Sequence, residues 1–507
     1  MIKFEQFTET HMRVFCTDFG IEMEMQEFFT FMAPGYKFNP KFKAKVWDGK
    51  IRLLNQRTKT LYKGLLNLAI KFCKDRDYEF ELDPRLNPKS GITETQTREF
   101  IDSLQLASKG NKLDIRDYQY DAVFRMLETK RNLAISPTSS GKSMMIYSKM
   151  RYHLDKLGHR MLIVVPTTML VEQLFSDFKD YSGINGWDVE DNIQMLYSGK
   201  EKIFDKNVMI STWQSLHAMI KNQPKNFKEI VDNVDAMVLD EAHTYRASAV
   251  LETMEKFIHS EWRTGTTGTI DNSKINELSL IGLMGPIYRV ITTKELMDRG
   301  QVTELKIKAL LLEYPEEVRK TFKGLKYQDE VKFIVSNDTR NKFIANLTKA
   351  CKGNTLILFN FVESHGVVIY DLVKSKLDGT GRKVHFVHGG TDVDSREEIR
   401  LMVETEQDSV IIATASLFST GINMPSIENI IFAIPSKSTI RIRQSIGRGL
   451  RLKNGKHYCT LYDIVDDMSY KSWENTTLKH FHDRVSIYDS EQFNWTLTKI
   501  QLSSIKL

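Results

Sequence analysis

The chain has 507 residues, of which 41% are hydrophobic and 27% charged, a soluble-protein composition too long for a single core, so three or four domains are expected. A net charge of +6 and a pI near 8.8 favour an anionic partner such as nucleic acid. No apolar run reaches transmembrane length and MIKFEQFTET lacks a signal peptide's apolar core, while Cys16, Cys73, Cys351 and Cys459 form no C-x-x-C pair; a cytoplasmic protein without disulfides or structural zinc is expected.

Residues 1–90 read as a small α/β domain. Within it, FKAKVWDGKIRLL (Phe42 to Leu54) alternates and is broken by Asp48-Gly49, a signal for a two-residue hairpin. That pairing would set Lys43, Lys45, Trp47, Lys50 and Arg52 on one face, with Val46, Ile51 and Leu53 anchoring the other. From Lys37 to Lys63 there are nine Lys or Arg and one acid, Asp48, so the face suits a nucleic-acid backbone. The competing reading is a solvated edge whose lysines discourage aggregation. A short helical stretch (Glu94 to Leu104) and the polar SKGNKLD then read as a linker.

From about 110 to 305, apolar strand-like runs alternate with helical patterns, which predicts a parallel sheet covered by helices. The expected strands are Leu133–Ile135, Met161–Val165, Val208–Ile210 and Met237–Leu239. The first leads into SPTSSGKS. In this loop Pro137, Thr138, Ser139, Ser140 and Gly141 let backbone N–H groups approach a polyphosphate at a helix N-terminus. Lys142 can reach the β- and γ-phosphates and Ser143 can hold Mg²⁺. The fourth strand ends in Asp240-Glu241-Ala242-His243, two acids at the sheet's carboxyl edge, where ligands bind in such folds. There Asp240 can hold the Mg²⁺ and Glu241 can orient the attacking water.

A second α/β run spans 306–465, with strands expected at Thr355–Phe359, Lys383–Val387, Val410–Ala413 and Asn429–Ile434. It has no second phosphate loop. It carries ATASLFSTGINMP (Ala413 to Pro425) and QSIGRGLR (Gln444 to Arg451). Arg448 and Arg451, three apart, would share a helix face suited to another domain's nucleotide site. Residues 466–507 are expected to fold back on the body as a C-terminal extension.

The ordered set IRDYQ, SPTSSGKS, VPTTMLVEQ, STWQS, DEAH, TGTTGT, ATASLFSTGINMP and QSIGRGLR resembles the superfamily-two helicases. PGYKFNPKFKAKVWDGKIRLLN, GQVTELKI and the FSTGI turn extend the resemblance, over essentially the whole chain, to the UvsW-like DNA helicases of T-even phages. The resemblance implies two RecA-like domains with ATP in the cleft between them. It implies that Gln119 and Arg116 read adenine, that Gly421 and Gln444 also belong to the nucleotide site, and that Arg448 and Arg451 act as arginine fingers. Pro166, Thr167, Thr212 and Thr414 would face a nucleic-acid backbone, and Gly265 to Thr269 would couple hydrolysis to strand movement. Ser136 replaces the first loop glycine, and Asn423 stands where an Asp is usual. The activity so implied is ATP-driven remodelling of branched DNA, including junction migration, R-loop unwinding and annealing, on DNA or RNA–DNA hybrids in the cytoplasm of an infected host. An RNA helicase, or a DNA-binding regulator with an ATP switch, are the alternatives; a switch has no need of Glu241 and the arginines.

Overall fold

The computed structural model describes residues 1–86, 89–197, 204–245, 248–269, 273–391, 398–399, 402, 405–415, 427–434 and 458–502. These form two compact units, Met1–Ile291 and Thr292–Leu507.

The N-terminal domain is built on a four-stranded sheet ordered Thr60–Tyr62, His11–Cys16, Ile2–Gln6, Phe80–Leu82. Alternation puts Ile2, Phe4, Met12 and Val14 on one buried face. Against it the helix Leu66–Lys74 turns Leu66, Ala69, Phe72 and Cys73.

The hairpin expected at 42–54 does not form. Pro40–Lys43 is a short helix, with Asn39 accepting from the Lys41 N–H and Pro40 at the first turn. Lys45 lies in the left-handed region at φ +56°, which ends any strand. Lys50–Arg52 pairs instead with Thr30–Met32. The Asp48-Gly49 turn is real, with Gly49 at φ +78°, where a Cβ would sit 2.7 Å from the Tyr36 ring. Val46, expected to anchor a core, is 77% exposed.

The expected linker is an ordered layer of the next domain. Thr93 and Gln96 form a capping box on the helix Glu94–Ser103. Phe100 and Ile101 are buried, and Phe100 meets Tyr152 edge-on at 5.2 Å. SKGNKLD contributes a small antiparallel pair, Ala107–Ser108 with Asn111–Lys112.

The first large sheet has seven parallel strands in the order Ile193–Leu196, Val208–Thr212, Met161–Val165, Ala236–Leu239, Trp262–Thr267, Arg131–Ile135, Ile287–Arg289. Its central strands are buried along their length. Helices on both faces require this, and it is why most of these strands read as unbroken apolar runs.

The N-terminal domain is fixed to this sheet's domain in two ways. Ile275 and Leu278, on the helix Lys274–Met284, belong to the N-terminal core. Close backbone approach makes the seam tight: a Cβ on Gly64 would lie 2.0 Å from the Ile281 carbonyl. Beside this contact, the Glu9 carboxylate receives Lys63 Nζ at 2.8 Å and Arg131 Nη2 at 3.0 Å, with both cations buried. Burial alone would raise the Glu9 pKa, but the Lys63 bond and the Arg131 charge outweigh it and hold the carboxyl below its usual range. Arg131 opens the strand that leads into SPTSSGKS.

The second unit also carries seven parallel strands, ordered Val384–Val387, Val410–Thr414, Thr355–Phe359, Asn429–Phe432, Tyr458–Asp467, Glu304–Glu313, Asn494–Gln501. The described part of the expected extension is therefore integral to this sheet: Asn494–Gln501 is its edge strand, paired with Glu304–Glu313. Buried charges are matched here. Arg340 donates to both oxygens of Asp466 at 2.7 and 3.0 Å, and Arg484 donates to Asp463 at 2.8 Å.

Candidate functional site

The strand Arg131–Ile135 ends in the loop Ser136–Gly141, and the helix Lys142–Tyr152 begins immediately after it. Two loop residues take left-handed backbone, Ser139 at φ +70° and Gly141 at φ +88°. At Gly141 only glycine fits, because a Cβ would meet Gln119 Nε2 at 2.3 Å. Lys142 Nζ folds back over the loop and donates to the Ser136 carbonyl at 3.2 Å. An anion in the loop would offer this ammonium better acceptors than a neutral carbonyl.

Gln119 is buried and holds the loop from behind. Its Nε2 donates to the Ser140 carbonyl at 2.9 Å, and its Oε1 accepts the Arg116 N–H at 2.9 Å. Arg116 donates through Nη1 to the Tyr118 hydroxyl, which itself donates to the Ser140 carbonyl. The IRDYQ block therefore braces the loop's shape. Ser143 Oγ lies 2.7 Å from the Tyr181 hydroxyl.

Asp240 and Glu241 follow the strand Ala236–Leu239 at the carboxyl edge of the sheet. Asp240 is buried and accepts from Thr266 Oγ1 at 2.7 Å. Burial first, and then the neighbouring Glu241 charge, push its pKa up to about 6, with Lys142 and the Thr266 bond opposing. Glu241 sits at φ +50°, a conformation costing about 1–3 kcal/mol in a non-glycine residue. Its Oε2 lies 3.3 Å from His243 Nδ1, which lies 2.8 Å from Thr267 Oγ1. The strand Trp262–Thr267 runs between the loop strand and the acid-bearing strand, and the Ser136 N–H donates to the Thr267 carbonyl at 2.8 Å. One strand thus touches the loop Ser136–Gly141, Asp240 and His243 together.

Farther along the same sheet edge, Thr212 ends one strand and Thr167 lies two residues beyond the end of its neighbour, and they cap the helices Trp213–Asn222 and Thr168–Tyr181. Gln214 ties the two loops by donating to the Pro166 carbonyl at 3.2 Å. Two adjacent helix N-termini form a natural surface for backbone phosphates.

Comparison with known proteins assigns this architecture. The description "DNA helicase UvsW, N-terminal" matches residues 1–83, "Type III restriction enzyme, res subunit" matches 112–272, and "Helicase conserved C-terminal domain" matches 338–453. The chain is 33% identical over 518 residues to "ATP-dependent DNA helicase uvsW" of Enterobacteria phage T4, covering 99% of each. The chain belongs to the UvsW family. Its structure is similar to the crystal structure of T4 UvsW, with a TM-score of 0.52 and 30% identity over 99% of both chains. A second T4 UvsW structure matches 57% of this chain and 99% of its own length, with a TM-score of 0.51. The two seven-stranded sheets are accordingly RecA-like.

The structure brings Arg116, Gln119, the loop from Pro137 to Ser143, Asp240 and Glu241 to one end of the first sheet. Pro166, Thr167 and Thr212 lie on the same edge. Thr414 ends a strand of the second sheet, and its Oγ1 is buried with no hydrogen-bond partner among the described residues. Gly421, Gln444, Arg448 and Arg451 lie outside the described residues, as does Asn423. Lys43, Lys45, Trp47 and Arg52 gather around one recess of the N-terminal domain, whereas Lys50 is not in its lining. Sequence reasoning assigned no role to His243 or to Tyr181. The DEAH spelling contains the first, but nothing local marks a tyrosine 38 residues beyond its serine partner.

Proposed function

We propose that this chain is an ATP-dependent DNA helicase that remodels branched DNA during recombination and replication. The observation carrying this is the strand Trp262–Thr267, which binds the loop, Asp240 and His243 into one unit, in a chain related along its whole length to a T4 protein named an ATP-dependent DNA helicase.

ATP would place its phosphates in the 136–143 loop, against its N–H groups and Lys142. A magnesium ion fits beside it. Asp240 is a carboxylate whose proton affinity is raised by burial and by the neighbouring Glu241 charge, so a cation would suit it, and Ser143 stands at the helix start to share the ion with the phosphates. Among the described residues no three carboxylate, His or Cys side chains cluster as a self-sufficient metal site, which suits an ion held largely by substrate phosphates. When bound, the ion offsets charge on the phosphate oxygens. Glu241 then orients a water and takes its proton, while His243 and Thr267 fix the carboxylate's direction. By family resemblance, Gln119 and Arg116 serve adenine, Gly421 and Gln444 complete the nucleotide site, and Arg448 and Arg451 stabilise charge on the γ-phosphate. Pro166, Thr167, Thr212 and Thr414 would hold the DNA backbone. The domain assignment is 1–90 for DNA contact, 110–305 and 306–465 for the motor, and 466–507 as a C-terminal segment.

The test is Glu241→Gln. It should retain ATP binding but lose at least about 10²-fold in DNA-stimulated turnover, the scale of lost proton transfer, and with it the unwinding of a forked DNA. Normal turnover in this variant would overturn the assignment. Stimulation by duplex RNA but not by DNA would replace DNA with RNA as the substrate.

A further inference from the structure

Lining residues between Lys37 and Arg52 border an open recess of about 840 Å³, within the roughly 300–1,000 Å³ of small-molecule sites. Its floor is aromatic, from Phe42 and Trp47, and its rim carries Lys37, Lys43, Lys45 and Arg52. The floor is held in place. Phe42 packs edge-on against Tyr36 at 4.8 Å, and Trp47 Nε1 donates to the Lys50 carbonyl at 2.9 Å. The only acid in the lining, Asp48, is engaged by Arg52. That bond and the Lys50 N–H pull the Asp48 pKa down to about 2, so it stays ionised and matched. Lys37, Lys43 and Lys45 have no carboxylate within ion-pair distance among the described residues.

We infer that this recess binds a single unpaired nucleotide of the DNA at a branch point, its base against Trp47 and Phe42 and its flanking phosphates on Lys37, Lys43 and Lys45. The inference rests on the reading that the N-terminal domain contacts DNA, and it names what that domain takes. Lysines alone would accept any phosphate backbone, but an aromatic floor gains nothing from a duplex, whose base faces are already stacked. An unpaired base supplies both a π-face and adjacent charge. The recess has room for one nucleotide beside its two rings. The lining has no Asn or Gln and its one acid is engaged by Arg52, so the site is expected to be sequence-tolerant.

The experiment uses the full chain and a forked DNA scanned with abasic residues across the junction, with affinity read by fluorescence anisotropy at fixed salt. One junction-proximal abasic position should weaken wild-type binding by roughly five- to a hundredfold, the range for one base on an aromatic ring. Trp47→Leu should bind the intact fork as weakly as the wild type binds the abasic one, and should no longer discriminate between them. Trp47→Phe, which keeps a ring, should still discriminate, and this separates stacking from loss of the turn's structure. Lys43→Ala with Lys45→Ala should weaken both forks by the same factor. Equal wild-type affinity for intact and abasic forks, or discrimination that survives Trp47→Leu, would overturn the inference. If the lysine variant leaves affinity and salt dependence unchanged, the broader reading of the N-terminal domain as a DNA contact fails as well.

Discussion

Glu9→Gln should loosen the N-terminal domain from the first RecA-like domain. Among the described residues, Glu9 is the only carboxylate bonded to both Lys63 and Arg131, whose side chains are 1% and 9% exposed. Removing one partner of a buried ion pair costs roughly 3–5 kcal/mol, because the remaining charge is stranded. Arg131 keeps a second bond to the Glu9 backbone carbonyl, and the Glu9 side chain is 19% exposed, so the lower end applies, about 3 kcal/mol. That corresponds to about a hundredfold rise in the local opening equilibrium. Two amides report it: Glu9 N–H donates to the Ile258 carbonyl across the seam at 2.9 Å, and Lys63 N–H donates to the Thr10 carbonyl at 3.0 Å. Hydrogen exchange at both should accelerate about a hundredfold, and pairing Glu9→Gln with Lys63→Met should restore part of the loss. The same network gives the wild type an acid limit. The folded Glu9 pKa lies below its usual 4.5, so its contribution is complete above that value and disappears as pH falls through the lower folded one. Exchange within threefold of wild type in Glu9→Gln would refute the argument.

Other predictions follow from neighbouring features. His11 stacks on Tyr62 at 4.6 Å, and burial followed by the Arg263 charge holds its pKa at about 4 against the usual 6.5. The unfolded chain therefore binds the extra proton between these values, and stability should rise by about 3 kcal/mol across that window; in urea titrations His11→Phe should flatten this rise. Gly141→Ala should abolish nucleotide binding measured by calorimetry while leaving the chain folded, since the new Cβ would displace Gln119 from the loop. Asp466→Asn should destabilise the second unit by roughly 3–5 kcal/mol by stranding buried Arg340, whereas Arg340→Met with Asp466→Leu should cost far less; thermal denaturation distinguishes them.

Much of this was legible from residues because the physics was local. Strands buried on both faces are continuous apolar runs, so Met161–Val165 and Thr355–Phe359 appear unaided. Trp262–Thr267 is equally buried but reads WRTGTT, because its threonines serve Asp240 and His243 instead of a hydrophobic layer. Hydrophobic pattern misses such a strand, and only its motif marks it. The hairpin reading failed where two local signals competed. Alternation in Phe42–Val46 favoured a strand, but Asn39-Pro40 just upstream is a helix-start signal, and the cap prevailed. From sequence, the apolar stretch WTLTKIQL is expected only to fold back on the body; as a mostly exposed edge strand, Asn494–Gln501 lacks the continuous apolar run that marks the buried strands. The Glu9 network had no sequence signal, since its partners stand 54 and 122 residues away.

That network gives the N-terminal domain a mechanical meaning. Its sheet shares a core with the helix Lys274–Met284, and Arg131, which it grips, begins the strand whose far end is the phosphate loop. A domain on a flexible tether could hold DNA but could not keep it in register with the nucleotide site. Here the tether is replaced by a buried seam in which even one added methyl, at Gly64 or Gly282, would collide with the opposite wall. The recess around Trp47, the helix N-termini at Thr167 and Thr212 and the loop at Lys142 all belong to the unit Met1–Ile291. On the proposed readings, a nucleotide in the recess and ATP in the 136–143 loop would be held by the same body. Loosening the seam should consequently impair strand separation more than ATP hydrolysis, because Lys142, Asp240 and Glu241 are positioned within the first RecA-like sheet and the proposed grip on the branch is not.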